Sequence, residues 1–218
     1  MIFQDRREAG RVLARAIKAE REWGDAIVLG LPRGGVPVAF EVSLELSLPL
    51  DILVVRKLGV PGQEELAMGA IASGGTVVIN QIVVHGLGIS LETIEQAVEQ
   101  EKLEIARRER VYRDGRPPAR IEGRTAILID DGLATGSSMR AAARSLRPHA
   151  RQVIVGVPVG AESTCEQLRS EVDQIICAIT PEPFVAVGWF YRNFEQTTDE
   201  EVRALLSQAY RDEDFRAA

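Results

Sequence analysis

The chain is poor in the residues that most often carry metal, redox and imidazole chemistry: it has two cysteines and two histidines in 218 residues. Cys165 and Cys177 are too few for a cysteine-based zinc site and are not spaced as a Cys-x-x-Cys pair, so they read as buried thiols in a reducing cytosol. His85 and His149 stand in no Ser-His-Asp or metal-ligand context and are given no role. No run approaches 18 apolar residues, and the opening MIFQDRREAGRV has no apolar signal core. A soluble, cytoplasmic protein with no membrane partner is the expectation. The G-x-x-x-x-G-K-S/T and G-x-G-x-x-G loops are both missing, so ATP hydrolysis and hydride transfer lose their usual markers. A net charge of -6 offers no basic surplus to a phosphate backbone, and no nucleic-acid partner is expected.

What is present is an ordinary globular composition, 45% hydrophobic and 27% charged. A chain of this length buries roughly 70% of its unfolded surface. Short β-branched or leucine-rich runs ended by Gly, Pro or Asp alternate with segments of helical apolar spacing. Strands are predicted at 26–31, 50–55, 125–129, 152–157 and 174–179, with a further short one at 76–79. Helices are predicted around Ala9, Val12, Leu13, Ala16 and Ile17, through Val38 to Leu46, and over 91–113, 137–146 and 162–171. Five βα repeats indicate an α/β fold, a doubly wound parallel sheet flanked by helices, in a single domain over 1–218. Two segments differ. Residues 56–75, rich in glycine, read as a mobile loop with a short helix near Glu64 to Met68. Residues 180–218 carry Pro181, Pro183 and most of the C-terminal aromatics, and read as a small hood with a C-terminal helix.

The most informative stretch is 125–139, TAILIDDGLATGSSM. Asp130 and Asp131 end a strand where parallel sheets bind ligands, and neighbouring carboxylates accept hydrogen bonds from vicinal hydroxyls. Gly132 and Gly136 permit tight turns, while Thr135, Ser137 and Ser138 place hydroxyls beside the free amides of a helix start, a ready phosphate site. The segment therefore asks for a phosphorylated ribose. A plainer account makes Asp130 a strand end, the glycines a turn and Ser137 a helix cap, which leaves Asp131 and the hydroxyl cluster without a use. An acidic pocket of the response-regulator kind would not require the hydroxyl-rich turn.

These residues resemble the type I phosphoribosyltransferase family, whose fingerprint of apolar strand, two acids, short turn and Thr-Gly-x-Ser/Thr is matched over 127–138. The resemblance implies that Asp130 and Asp131 hold the ribose hydroxyls of phosphoribosyl pyrophosphate. It gives the 5-phosphate to Thr135, Gly136, Ser137 and Ser138, with backbone help from Leu133 and Ala134. Two more strand ends agree with it. Leu31-Pro32-Arg33-Gly34-Gly35 is similar to the family's pyrophosphate loop, which often holds a cis non-proline peptide, and Arg33 suits a phosphate bidentately. Arg56 and Lys57 stand where the family has a basic residue before a flexible lid, which places the lid at 56–75. Either could instead be surface: a turn with a solvated arginine, or a solvated basic pair. The hood segment 182–195, EPFVAVGWFYRNFE, resembles that of the purine salvage branch, with Phe184 as the residue that would stack on a base and Trp189 and Phe190 beside it; simple core packing is the competing account. That branch also has a base-reading lysine on the preceding strand, and IVGVPVG at 154–160 has none.

The resemblance implies a phosphoribosyltransferase of nucleotide salvage type. It would transfer the phosphoribosyl group to a small nitrogenous base with Mg²⁺ as cofactor, held close to Asp130 and Asp131 or through water, and with Arg33, Arg56 and Lys57 stabilising the departing diphosphate. Family members commonly form dimers, so a homodimer is expected. Two other readings use the same pocket: a module that senses phosphoribosyl pyrophosphate or a nucleotide without catalysis, and a sugar-phosphate hydrolase. The acceptor base is not specified by any motif.

Overall fold

The computed structural model describes residues 2–217. Met1 and Ala218, the ends of the expected single-domain span, lie outside the described residues. Helix α1 (Arg6–Glu20) starts on Asp5, whose carboxylate accepts from the Glu8 amide, and buries Ala9, Leu13, Ala14 and Ile17. Strand β1 (Ala26–Gly30), helix α2 (Gly35–Leu46) and strand β2 (Leu50–Ile52) form the first βαβ unit. An inserted segment follows: strands β3 (Val55–Val60), β4 (Gln63–Ala72) and β5 (Val77–Ile79), then helices α3 (Gln81–Leu87) and α4 (Leu91–Arg113). The parallel pattern resumes with β6 (Thr125–Ile129), α5 (Ser137–Leu146), β7 (Gln152–Val159), α6 (Glu162–Leu168), β8 (Gln174–Ile179) and α7 (Asp199–Ala217).

Five strands pair in parallel in the order β2-β1-β6-β7-β8. Every residue of β1 and β6 is buried, as a sheet covered on both faces requires. Alternate residues serve opposite faces. Val28, Ile127, Ile129 and Ile154 join α1, α2, α4 and α7 in one cluster, and Ile27, Leu29, Leu128 and Val155 join α5 and α6 in another. The chain leaves β1 toward β2 on one side and returns through β6 on the other, so strand order reverses between β1 and β6. Such a switch point opens a crevice at the carboxyl ends of the strands. The register aligns Gly30 with Ile129, which starts the loop after β1 and the acids after β6 at the same level.

The segment 56–75 is not the coil expected from its glycines. Residues 55–72 form an antiparallel hairpin through a Pro61-Gly62 turn, β4 replaces the short helix expected near Glu64 to Met68, and the strand at Val77–Ile79 pairs with β4 outside the parallel sheet. Register shifts on either side of Gly59 leave Met68 as an extra residue on β4, between the partners of Leu58 and Gly59, while Leu58, Met68 and Ile71 join the buried cluster that includes α4.

The edge strand β2 is fastened by a buried ion pair. Arg113, the last residue of α4, donates through Nε to Asp51 Oδ1 at 2.9 Å and through Nη2 to the Ile52 carbonyl at 3.0 Å. The other carboxylate oxygen accepts from the Ala119 amide at 2.8 Å. The side chains are 5% and 2% exposed. Removing one member of such a pair leaves the other charge buried and uncompensated. Asp51→Ala is therefore expected to lower stability by about 3–5 kcal/mol, read as an earlier urea midpoint with unchanged slope.

Candidate active site

The two acids of β6 and the loop after β1 meet at the switch point. A Cβ on Gly35 would sit 2.6 Å from the Ile129 carbonyl and 2.9 Å from Asp130 Cα, and one on Gly34 would overlap the Asp131 carboxylate. Only glycine allows this approach. The Pro32-Arg33 peptide is cis. Asp130 Oδ1 accepts from the Asp131 amide at 2.9 Å, and Asp131 Oδ2 accepts from Arg6 Nε at 2.8 Å. Among the described residues, the second oxygen of each carboxylate has no hydrogen-bond partner. Adjacent residues at the end of β6 thus keep one free acceptor each.

Burial raises both carboxyls above the ordinary aspartate range. Asp130 is pushed furthest, first by desolvation and then by the charge of Asp131 beside it. For Asp131 the guanidinium of Arg6 works against burial, through its charge and its hydrogen bond. Tyr191 donates to the Asp131 carbonyl at 2.6 Å, and its phenol is pushed up chiefly by burial.

The turn that follows is built by its neighbours. Leu133 bridges to Gly160: its amide donates to the Val159 carbonyl at 2.8 Å, and its carbonyl accepts from Ala161 at 2.9 Å. Thr164 Oγ1 donates to the Ala134 carbonyl at 2.6 Å. Gly136, at φ 72°, takes the left-handed conformation and the N-cap position of α5, and no side chain caps the helix. Ser137 is the first helical residue and not its cap, so the plain capping account fails. Thr135 and Ser137 lie exposed with their hydroxyls 3.3 Å apart, and Ser138 is half-buried. No side chain answers the first α5 amides, and the exposed Thr135 and Ser137 hydroxyls lie beside them.

The remaining sequence candidates are dispersed. Arg33 leans toward α7, its Nη1 3.7 Å from Asp199 Oδ1, and Tyr112 donates to the same oxygen at 2.8 Å. Arg56 forms a forked pair with Glu101 of α4 at 2.6 and 3.3 Å, which raises its pKa. Lys57 is exposed and, by strand alternation, lies on the opposite face of β3, that of Val55, which packs in the cluster of Met139 on α5. The basic pair is thus split across the hairpin. Phe184 stacks on Phe190, ring centroids 5.7 Å apart, against a cluster of Phe3, Ala9, Val159 and Tyr191. Trp189 is 70% exposed. The hood reaches the site by other residues: a Cβ on Gly132 would strike Val187, and Arg6 lies under Phe194.

Sequence reasoning missed Arg6, Tyr191, Thr164 and the two tethering acids Asp199 and Glu101. Arg6 is 125 positions from its partner and lies in a segment read only for a signal core; no spacing rule links the two.

The family profile described as phosphoribosyl transferase domain matches residues 4–191. Proteins of two Mycobacterium tuberculosis strains, each provisionally named a phosphoribosyl transferase, are 45% identical over 212 residues, 97% of this chain and 48% of theirs. The chain thus spans about half the length of these curated relatives. The crystal structure of TT1426 from Thermus thermophilus superposes with a TM-score of 0.84 at 38% identity, covering 95% of this chain and 99% of that one. None of the described helices is long and apolar enough to cross a membrane. With the profile matched over most of its length and relatives at 38–45% identity, the chain belongs to the phosphoribosyl transferase family.

Proposed function

We propose that this domain transfers the 5-phosphoribosyl group of phosphoribosyl pyrophosphate to a nitrogenous base. The observation that carries the reading is the pairing of two free carboxylate oxygens, one on each of Asp130 and Asp131, with an uncapped, hydroxyl-bearing helix start four to six residues on. The free oxygens accept from the two ribose hydroxyls. Thr135, Ser137, Ser138 and the α5 amides, with Leu133, Ala134 and Gly136 shaping the turn, take the 5-phosphate. The Gly34 amide and the guanidinium of Arg33 meet the diphosphate, Gly35, whose own amide donates to the Leu31 carbonyl at 3.0 Å, shapes that loop, and Lys57 and Arg56 approach from the hairpin as a lid. The C1–O bond to pyrophosphate breaks as the base nitrogen bonds to C1, through an oxocarbenium-like state that the fixed charges stabilise. Phe184 is assigned to the acceptor side of the pocket, and the protein to a homodimer in the cytoplasm.

Mg²⁺ fits the donor set. Two hard carboxylates offer one free oxygen each, and among the described residues no group of three acids, histidines or cysteines makes a protein cage. That suits an ion that keeps its waters and takes substrate oxygens. Asp130 and Asp131 would hold it directly or through water, and when bound it neutralises diphosphate charge.

The test is pyrophosphate release from phosphoribosyl pyrophosphate and Mg²⁺ across a panel of nitrogenous bases. Base-dependent release supports transfer. Ribose 5-phosphate formed with water as acceptor indicates the hydrolase, and tight binding without release indicates the sensing module. Asp131→Asn is expected to keep the fold and cut turnover about tenfold or more, the scale of one charge-assisted hydrogen bond; unchanged turnover removes the ribose role. Gly34→Ala, whose methyl meets the same carboxylate, is expected to weaken phosphoribosyl pyrophosphate binding by about tenfold in calorimetry.

A further inference from the structure

Arg6 has three contacts, one to the acid pair beyond β6 and two to the hood. Its Nε donates to Asp131 Oδ2 at 2.8 Å, beyond β6. Its Nη1 donates to the Glu195 carbonyl at 2.7 Å, in the hood. Its guanidinium lies 4.0 Å from the centroid of the Phe194 ring. The side chains of Arg6 and Asp131 are 12% and 16% exposed, so the pair is largely shielded from solvent. Gly34 closes the same side of the carboxylate, with its added Cβ position 3.3 Å from Arg6 Nε.

The consequence for Asp131 is geometric. Oδ2 is occupied from the α1 side, the main-chain carbonyl is held by the Tyr191 hydroxyl, and Oδ1 is left as the oxygen with no partner among the described residues. An aspartate free to rotate would present either oxygen or neither. A planar guanidinium that is stacked on a ring and pinned to a carbonyl has one orientation, and it passes that orientation to the carboxylate. Lysine could supply the charge but not the fork or the stacking plane.

We propose that Arg6 is a positioning residue for the sugar-binding acid: it fixes Asp131 so that one carboxylate oxygen is presented to a ligand hydroxyl, and it couples that acid to the hood through Glu195 and Phe194. The inference rests on the reading of Asp131 as a ribose ligand. It adds that the N-terminal helix, which carries no part of the phosphoribosyltransferase fingerprint, completes the sugar subsite.

The experiment is titration calorimetry of the full chain and its variants with two probes: ribose 5-phosphate, which has the hydroxyl pair, and inorganic pyrophosphate, which does not. Arg6→Gln is expected to bind ribose 5-phosphate about tenfold more weakly, the scale of one charge-assisted contact, with pyrophosphate binding unchanged. Arg6→Lys is expected to recover part of the loss, and it gives the same discrimination should the glutamine variant not fold. A merely structural role would weaken both probes alike, and that result overturns the inference. So does undiminished ribose 5-phosphate binding by both variants. Failure of the unmodified protein to bind ribose 5-phosphate or phosphoribosyl pyrophosphate is a separate outcome: it overturns the functional reading itself, and this inference with it.

Discussion

The close contact between two glycines and two aspartates at the middle of the sheet is the constraint on which the rest of the site depends. Strands β1 and β6 are hydrogen-bonded neighbours in register, so whatever follows them leaves the sheet at one point. Gly34 and Gly35 let the first loop press against Asp130 and Asp131 with no intervening side chain. That contact brings backbone amides and carboxylates into one crevice, and it dehydrates the acids, which raises both of them. The cost of holding two carboxyls together out of water is partly offset by Arg6, a residue from outside the sheet. A structural feature of the N-terminus, the hood contact, thus follows from an electrostatic need at the sheet centre.

The cations of the site obey a different logic. Arg33 and Arg56 are each tethered to an acid, Asp199 and Glu101, and each is about one-third exposed. Pairs in that setting contribute little to stability because water screens them. The Arg33 contact, at 3.7 Å, is an ion pair without a hydrogen bond. Asp199 is independently fixed by Tyr112, so Arg33 can leave it without disturbing α7. In the proposed reaction both arginines are therefore parked, not locked, and a diphosphate competes with surface-grade partners. Arg6, by contrast, is shielded and has its donors engaged by Asp131 and Glu195. In the proposed reaction Arg6 is thus the cation that organises the site, and Arg33 and Arg56 are the cations left to a substrate.

Much of this was legible in the sequence, for identifiable reasons. The parallel strands are buried on both faces, so Ala26 to Gly30 and Thr125 to Ile129 are unbroken apolar runs that can be seen without tertiary information. The acid pair and its turn are contiguous, so their chemistry shows at short spacing. The hairpin was hidden because Gly59 and Gly69 interrupt the alternation and because its buried residues, Leu58, Val60, Met68, Ala70, Ile71 and Ala72, follow no single period of two across the bulge; glycine counts as a breaker until a partner strand is known. The division of Arg56 from Lys57 follows only once that strand is assigned. Phe184 was visible as an aromatic, but its stacking on Phe190 depends on the path of the hood. Arg6 could not be found at all, since nothing local distinguishes it from Arg7.

The helix starts show how the fold divides its termini between structure and ligand. Helices α1, α3, α4 and α7 are capped by the side chains of Asp5, Asn80, Ser90 and Thr198. Helices α2, α5 and α6, which follow the carboxyl ends of β1, β6 and β7, have no side-chain cap. The α6 start is packed under the Leu133 turn and bears Glu162 in its first turn, so its positive end is answered from within the chain. The starts of α2 and α5 have neither a cap nor an acid in the first turn; glycine occupies both N-cap positions. They differ in one respect: the Gly35 and Val36 amides at the α2 start donate to the Leu31 and Arg33 carbonyls at 3.0 and 3.1 Å, while the first amides of α5, beside Thr135 and Ser137, have no partner among the described residues. The acid pair precedes the second and touches the first. On the proposed function, the open α5 start suits the 5-phosphate and the α2 start adds its dipole and the Arg33 guanidinium toward the diphosphate, with the carboxylate pair between them for the sugar hydroxyls; a side-chain cap on α5 would compete with the phosphate for the same amides.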